Sequence, residues 1–94
     1  MERQSHACCR DVVIRNRQGL HARPVMQFVD IANEYEATIS VRKGEQTVDG
    51  KSPMEMMLLE ATQGTPLRLE AQGRDAGEAI EALRELIERG FDED

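Results

Sequence analysis

The 94 residues are 39% hydrophobic and 32% charged, with no Trp, one Tyr and two Phe. That length holds one domain, and the balance excludes collagen-like and low-complexity chains and argues against disorder throughout. The formal net charge of −6 counts against a nucleic-acid binder, and no apolar run approaches the roughly 18 residues that membrane insertion needs.

The N-terminal stretch Met1-Glu2-Arg3-Gln4-Ser5-His6-Ala7-Cys8-Cys9 lacks the apolar core of a secretory signal, so a cytoplasmic location is expected. Cys8 and Cys9 are adjacent, and a bond between neighbours is strained and closes no useful loop. With His6 they fall short of the four ligands of a structural zinc site, so no metal is assigned. Residues 1–9 read as a flexible tail with reduced thiols, 10–90 as the domain and 91–94 as an acidic tail. Charge divides in the same way. Five Arg face Glu2 and Asp11 between Met1 and Arg23, whereas five acids face one Arg from Glu85 to Asp94.

After the tail, Val12-Val13-Ile14 is a short β-branched run and reads as a strand. Asn16-Arg17-Gln18-Gly19 has turn chemistry. From Ala22 onward, Val25, Phe28, Val29 and Ala32 follow helical spacing. Thr38 to Arg42 alternates with period two, and Lys43-Gly44-Glu45 turns the chain into a weaker strand over Gln46–Asp49, making a hairpin. Ser52-Pro53-Met54-Glu55 opens a short helix, with Ser52 at the cap, Pro53 at the first helical position and Glu55 placed for a capping box. Leu67 to Ala71 alternates again as a strand. A last helix runs from about Asp75 to Arg89, with Ala76, Ala79, Ile80, Leu83 and Ile87 on one face, and Gly90 ends it.

The order is βαββαβα. Strands with one apolar face and helices with one apolar stripe imply an α+β fold, an open-faced two-layer β-sandwich. An antiparallel four-stranded sheet would be covered on one face by the helices.

Gly19-Leu20-His21-Ala22-Arg23-Pro24 lies where the turn becomes a helix. With His21 at the cap, the first-turn N–H groups of Ala22 and Arg23 have no intrahelical partner and meet the positive end of the helix dipole. Pro24 loses nothing there, since its missing N–H falls among those groups. The Arg23 guanidinium can form two charge-assisted bonds to a phosphoryl group. An imidazole beside a helix N-terminus and cations is expected to favour its neutral, nucleophilic form. The residues alone leave this open, because a lone His at a helix start also serves as a plain cap or surface residue. No general base, catalytic triad or phosphate loop accompanies it, which disfavours an independent hydrolase or kinase.

The segment Gly19 to Pro24 resembles the active-site signature of HPr, the histidine-containing phosphocarrier of the phosphoenolpyruvate-dependent phosphotransferase system. Lys51-Ser52-Pro53-Met54 resembles the second, serine-centred motif of that family, and the similarity continues through Gln63-Gly64-Thr65 and the final helix, from about Asp11 to Arg89. The resemblance implies that His21 is phosphorylated on Nδ1 by phospho-enzyme I and passes the group to the A domain of an enzyme II in sugar uptake. Arg23 and the Ala22 N–H would steady the phosphoryl group. It further implies a monomeric, stoichiometric carrier that is no enzyme and needs no cofactor.

Ser52 resembles the serine that HPr kinase/phosphorylase modifies in some bacteria, although Pro53 departs from the large aliphatic residue common there; as a plain reading, Ser52 is a helix cap. Leu20, Pro24, Met54 and Met57 are the candidate partner contacts, with Met56 and Leu59 assigned to the core. A second reading keeps the phosphohistidine but makes the protein a regulatory interaction module, of nitrogen type or controlled through Ser52, that acts on a kinase, regulator or metabolic enzyme. A third treats His21 and Arg23 as a static anion site. On sequence, the extra residues at both ends are expected to stay clear of the His21 motif.

Overall fold

The computed structural model describes residues 6–93. Four strands, β1 (Ala7–Val13), β2 (Thr38–Lys43), β3 (Gln46–Asp49) and β4 (Pro66–Gln72), alternate with helices α1 (Ala22–Ala32), α2 (Pro53–Leu58) and α3 (Ala76–Glu88), and a 3-10 turn over Gly90–Asp92 follows. The sheet order is β1-β4-β2-β3 and every pair is antiparallel. This is the expected βαββαβα open sandwich.

Strand alternation explains why the helices cover one face. Val12, Ile39, Val41, Val48, Leu67, Leu69 and Ala71 all point inward and are buried. Their cross-strand pairs, Val12 with Leu67, Val41 with Leu69 and Val41 with Val48, form one apolar layer. Phe28 and Val29 of α1, Met56 of α2 and Ile80, Leu83 and Ile87 of α3 close over it. The opposite face carries Asp11, Arg42, Arg68 and Gln72, all exposed, and Arg68 donates to Asp11 at 3.1 Å.

Both supposed tails are corrected within the described residues. Residues 1–5 of the N-terminal tail lie outside them, but Ala7, Cys8 and Cys9 belong to β1 and pair with Gln72, Ala71 and Glu70. The strand therefore begins five residues before Val12. Its inward positions there are Cys8 and Arg10, at a sheet edge where Arg10 reaches Glu81 of α3 at 3.5 Å, so hydrophobic alternation could not reveal them. The two thiols consequently face opposite sides of the strand, Cys8 half-buried and Cys9 exposed, and both are free.

At the other end, Gly90 adopts φ +69 as the helix stop, but the chain does not trail away. Phe91 is 1% exposed and belongs to the core.

Candidate functional site

Two backbone contacts position the start of α1. Leu20 N–H donates to the Ala61 carbonyl at 2.8 Å, and Asn16 Nδ2 donates to the Gly19 carbonyl at 2.8 Å. Gly19 has φ +72, and a β-carbon there would press on the Ala61 carbonyl and come within 2.9 Å of the Thr62 Cα. Only glycine permits that approach. The tie buries Leu20 at 5% exposure and turns the next residue outward.

His21 is the N-cap, with extended backbone at φ −84 and ψ −171 and no side-chain capping bond. Its carbonyl accepts from Val25 N–H at 3.1 Å. The amides of Ala22 and Arg23 precede the first intrahelical donor, so they are free to meet an anion. An imidazole in place of a capping hydroxyl or carboxylate leaves this helix end open. His21, Ala22 and Arg23 line a shallow cleft together with Arg17, Gln18, Asp92 and Glu93. The ring is half-exposed, and the side chains of Ala22 and Arg23 are exposed.

The acidic end of the chain closes the other wall, contrary to expectation. Glu93 Oε1 and Oε2 each lie 3.1 Å from His21 Nε2, and Asn16 Nδ2 donates to Glu93 Oε1 at 3.0 Å. The hydrogen bond from His21 holds the Glu93 carboxyl below the usual carboxylate range; the Asn16 bond and the nearby Arg23 charge add to it, against partial desolvation. The environment of the ring is therefore not cationic alone, as the sequence argument assumed. Phe91 and Asp92 deliver Glu93 there through two successive left-handed backbone conformations, φ 57 and φ 59. Each costs about 1–2 kcal/mol in an L-residue. Burial of Phe91 and the Arg89–Asp92 ion pair at 3.1 Å offset that strain.

Ser52 behaves as a cap. Its Oγ accepts from Glu55 N–H at 3.2 Å, while Pro53 occupies the first turn. The capping box is not reciprocal, because Glu55 Oε1 accepts from Asp49 N–H at 2.9 Å instead of from Ser52. Met54 and Met57 are exposed at 82% and 42%. Met26 at 46% and Leu58 at 64% join them as exposed large apolar side chains, while Met56 and Leu59 are fully buried. Leu20 and Pro24 are corrected: both are buried, packed under the site to hold its shape, and neither offers a side chain to a partner.

Known proteins are similar to this chain in sequence and fold. The family model described as "PTS HPr component phosphorylation site" matches residues 8–89. The phosphocarrier protein HPr of Pseudomonas aeruginosa is 45% identical over 84 residues, covering 88% of this chain and 93% of that protein. The phosphocarrier protein NPr of Proteus mirabilis is 42% identical over 86 residues, covering 90% and 96%. The crystal structure of HPr from Thermoanaerobacter tengcongensis superposes with a TM-score of 0.89 at 41% identity, over 93% of this chain and 98% of that one. A second structure from that organism is described as an HPr dimer. The fold, the match over nearly the whole domain and these relatives agree: the chain belongs to the HPr phosphocarrier family of the phosphotransferase system.

Proposed function

We propose that the protein accepts a phosphoryl group from phospho-enzyme I on Nδ1 of His21 and passes it to the A domain of an enzyme II in phosphoenolpyruvate-dependent sugar uptake. The observation that carries this reading is the uncapped start of α1, where a half-exposed imidazole stands beside the amides of Ala22 and Arg23. Transfer then needs positioning and charge neutralisation rather than further covalent machinery. The Nδ1 lone pair forms the new N–P bond while the donor keeps the electron pair of the bond it loses. The two amides and the Arg23 guanidinium neutralise the equatorial oxygens.

The protein is a carrier turned over by its partners in the cytoplasm, not an enzyme with its own small-molecule substrate. The exposed Met54, Met57, Met26 and Leu58 suit docking, since methionine adapts to more than one partner surface. Incubation with enzyme I and phosphoenolpyruvate followed by intact mass tests the reading. One phosphoryl adduct, labile in acid and stable in base, is expected, and an acid-stable adduct would remove His21 from the reaction.

A second reading has support in the relatives, which bear both HPr and NPr names. In it, the phosphorylation state of His21 or Ser52 controls a kinase, regulator or metabolic enzyme. Ser52 is half-buried, at the start of a helix whose next two residues are exposed, and so is within reach of HPr kinase/phosphorylase. Incubation with that kinase and ATP tests this branch: a base-labile phosphoserine on Ser52 supports it, and no incorporation removes Ser52 from regulation.

A further inference from the structure

Glu93 lies beyond the 8–89 span matched to the family, and nothing in the phosphocarrier chemistry above uses it. Yet both of its carboxylate oxygens converge on one ring nitrogen of His21, at 3.1 Å each. An ionised carboxylate can only accept hydrogen bonds, so the contact requires the proton on Nε2. An imidazole with Nε2–H carries its lone pair on Nδ1.

Asn16 fixes the carboxylate in turn. Its Nδ2 donates both to the Gly19 carbonyl and to Glu93 Oε1; the flipped amide would set its oxygen against two acceptors, so its orientation is decided by chemistry. Asn16 is itself 1% exposed, which makes it a rigid support. The left-handed pair Phe91 and Asp92 is the kind of backbone strain that persists where the surroundings hold it at a functional position.

We propose that Glu93 is a positioning residue for phosphoryl transfer. It keeps the His21 proton on Nε2, so that Nδ1 is the accepting nitrogen, and it pairs with the positive ring that results. The inference rests on the phosphocarrier reading and adds a residue to its site. In the forward step, Nδ1 forms its bond to phosphorus, Nε2 retains its hydrogen, and the ring becomes a phosphoimidazolium cation. The Glu93 carboxylate faces that cation across the same hydrogen bond, in the manner of a carboxylate that orients and supports a reacting histidine. Release of the group to the acceptor returns the pair of electrons to Nδ1 and restores the neutral ring.

The test uses the full chain with ¹⁵N-labelled histidine, in wild type, Glu93→Ala and Glu93→Gln, with amide spectra to establish that each is folded. At a pH where the ring is neutral, wild type is expected to show Nε2 protonated and Nδ1 bare. Glu93→Ala is expected to move both ring nitrogens toward a mixture of tautomers, whereas Glu93→Gln, whose amide oxygen still accepts, retains the wild-type pattern. At a fixed ratio of phosphoenolpyruvate to pyruvate with enzyme I, both variants are expected to lower the ratio of phosphorylated to free carrier by about two- to fivefold, the worth of a partly exposed charge pair. Ring shifts in Glu93→Ala identical to wild type overturn the proposal, and so does an unchanged phosphorylated ratio in both variants. Wild type that takes no phosphoryl group from enzyme I would overturn the phosphocarrier reading instead, with the nitrogen shifts still deciding what Glu93 does to the free ring.

Discussion

The starts of α1 and α2 look alike in sequence and end in opposite states. Each has a polar residue at the cap and a proline in the first turn. At α2 the Ser52 hydroxyl turns back onto Glu55 N–H, so the helix end is satisfied by its own chain. At α1 the His21 ring turns away toward Glu93, and the end is left open. A short oxygen-bearing side chain reaches the amide two or three residues ahead; an imidazole held by another partner does not. One helix start is thereby closed by its own chain while the other leaves its first amides open, and the cap residue decides between them.

Substitution at His21 should break this contrast most completely. His21→Ala is expected to abolish phosphoryl uptake from enzyme I while the protein still folds, since the ring makes no capping bond. His21→Ser should be equally inactive but should convert the open end into a closed one and recover about 0.5–2 kcal/mol through a new cap. Intact mass and thermal melts check both. Phosphoryl uptake by either variant would remove His21 as the acceptor, and a Ser variant no more stable than the Ala variant would show that the cap residue does not set the state of this helix end.

Arg23→Lys sharpens the chemistry at the open end. Charge is kept while the planar fork shared by two phosphate oxygens is lost. Losing one charge-assisted bond costs about 1.5–3 kcal/mol in the transfer step, a slowing of roughly ten- to a hundredfold by stopped flow. Unchanged rates would mean that the backbone amides suffice.

How much of this was readable from residues alone follows from where the signals lay. Periodicity located all four strands and three helices because most inward positions are apolar, and the Gly19 to Pro24 segment placed His21 and Arg23 at a helix start. Failures cluster at the chain ends. Ala7 to Cys9 pair with the last three residues of β4, but an edge strand with Cys8 and Arg10 on its inner face shows no hydrophobic alternation. Phe91 and Glu93 were missed because a helix stop followed by acids resembles a loose terminus. Two signals were present: one of only two phenylalanines sits directly after Gly90, and the acidic end has the charge sign opposite to the basic His21 segment. Neither says that the segments meet, since an approach across 72 positions of chain is a tertiary fact. Leu20 and Pro24 failed for a related reason, because proximity to a motif does not tell whether a side chain faces solvent or supports it from beneath.

A smaller effect is expected at the closed start. Ser52→Ala should lose about 0.5–2 kcal/mol and Ser52→Asp little, since Asp also caps. If this end is also a switch, the Asp charge should slow His21 phosphorylation by like-charge repulsion of an acidic enzyme I surface, and salt should relieve it, with screening over about 10 Å at 0.1 M. Equal transfer rates for the two variants at low salt would leave Ser52 a cap only.

The start of α3 supplies a third state, and pH is its probe. Asp75 is the N-cap there but makes no capping bond; its carboxylate accepts from Glu36 N–H at 2.9 Å and Ala37 N–H at 2.8 Å, tying the helix start to the loop before β2. The bond from Glu36 is the main reason its carboxyl lies below the usual range, with the Ala37 bond and the Lys51 charge adding, against desolvation. A carboxyl lowered in the folded state contributes stability that is fully present above its unfolded value, about 3.9. That contribution is lost as pH falls through the lower folded value, because the unfolded chain then binds the proton first. Glu81 and Glu93 are lowered as well, by Arg84 and His21 respectively, so the acid limb of the wild-type curve belongs to several groups. Asp75→Asn isolates one of them, since the amide oxygen keeps one acceptor but never ionises. Denaturant midpoints are expected to separate wild type from Asp75→Asn at neutral pH and to converge as the solution is acidified below about pH 4. A gap that stays constant across that range would mean that Asp75 acts through shape and hydrogen-bond geometry alone, with its charge contributing nothing to this helix start.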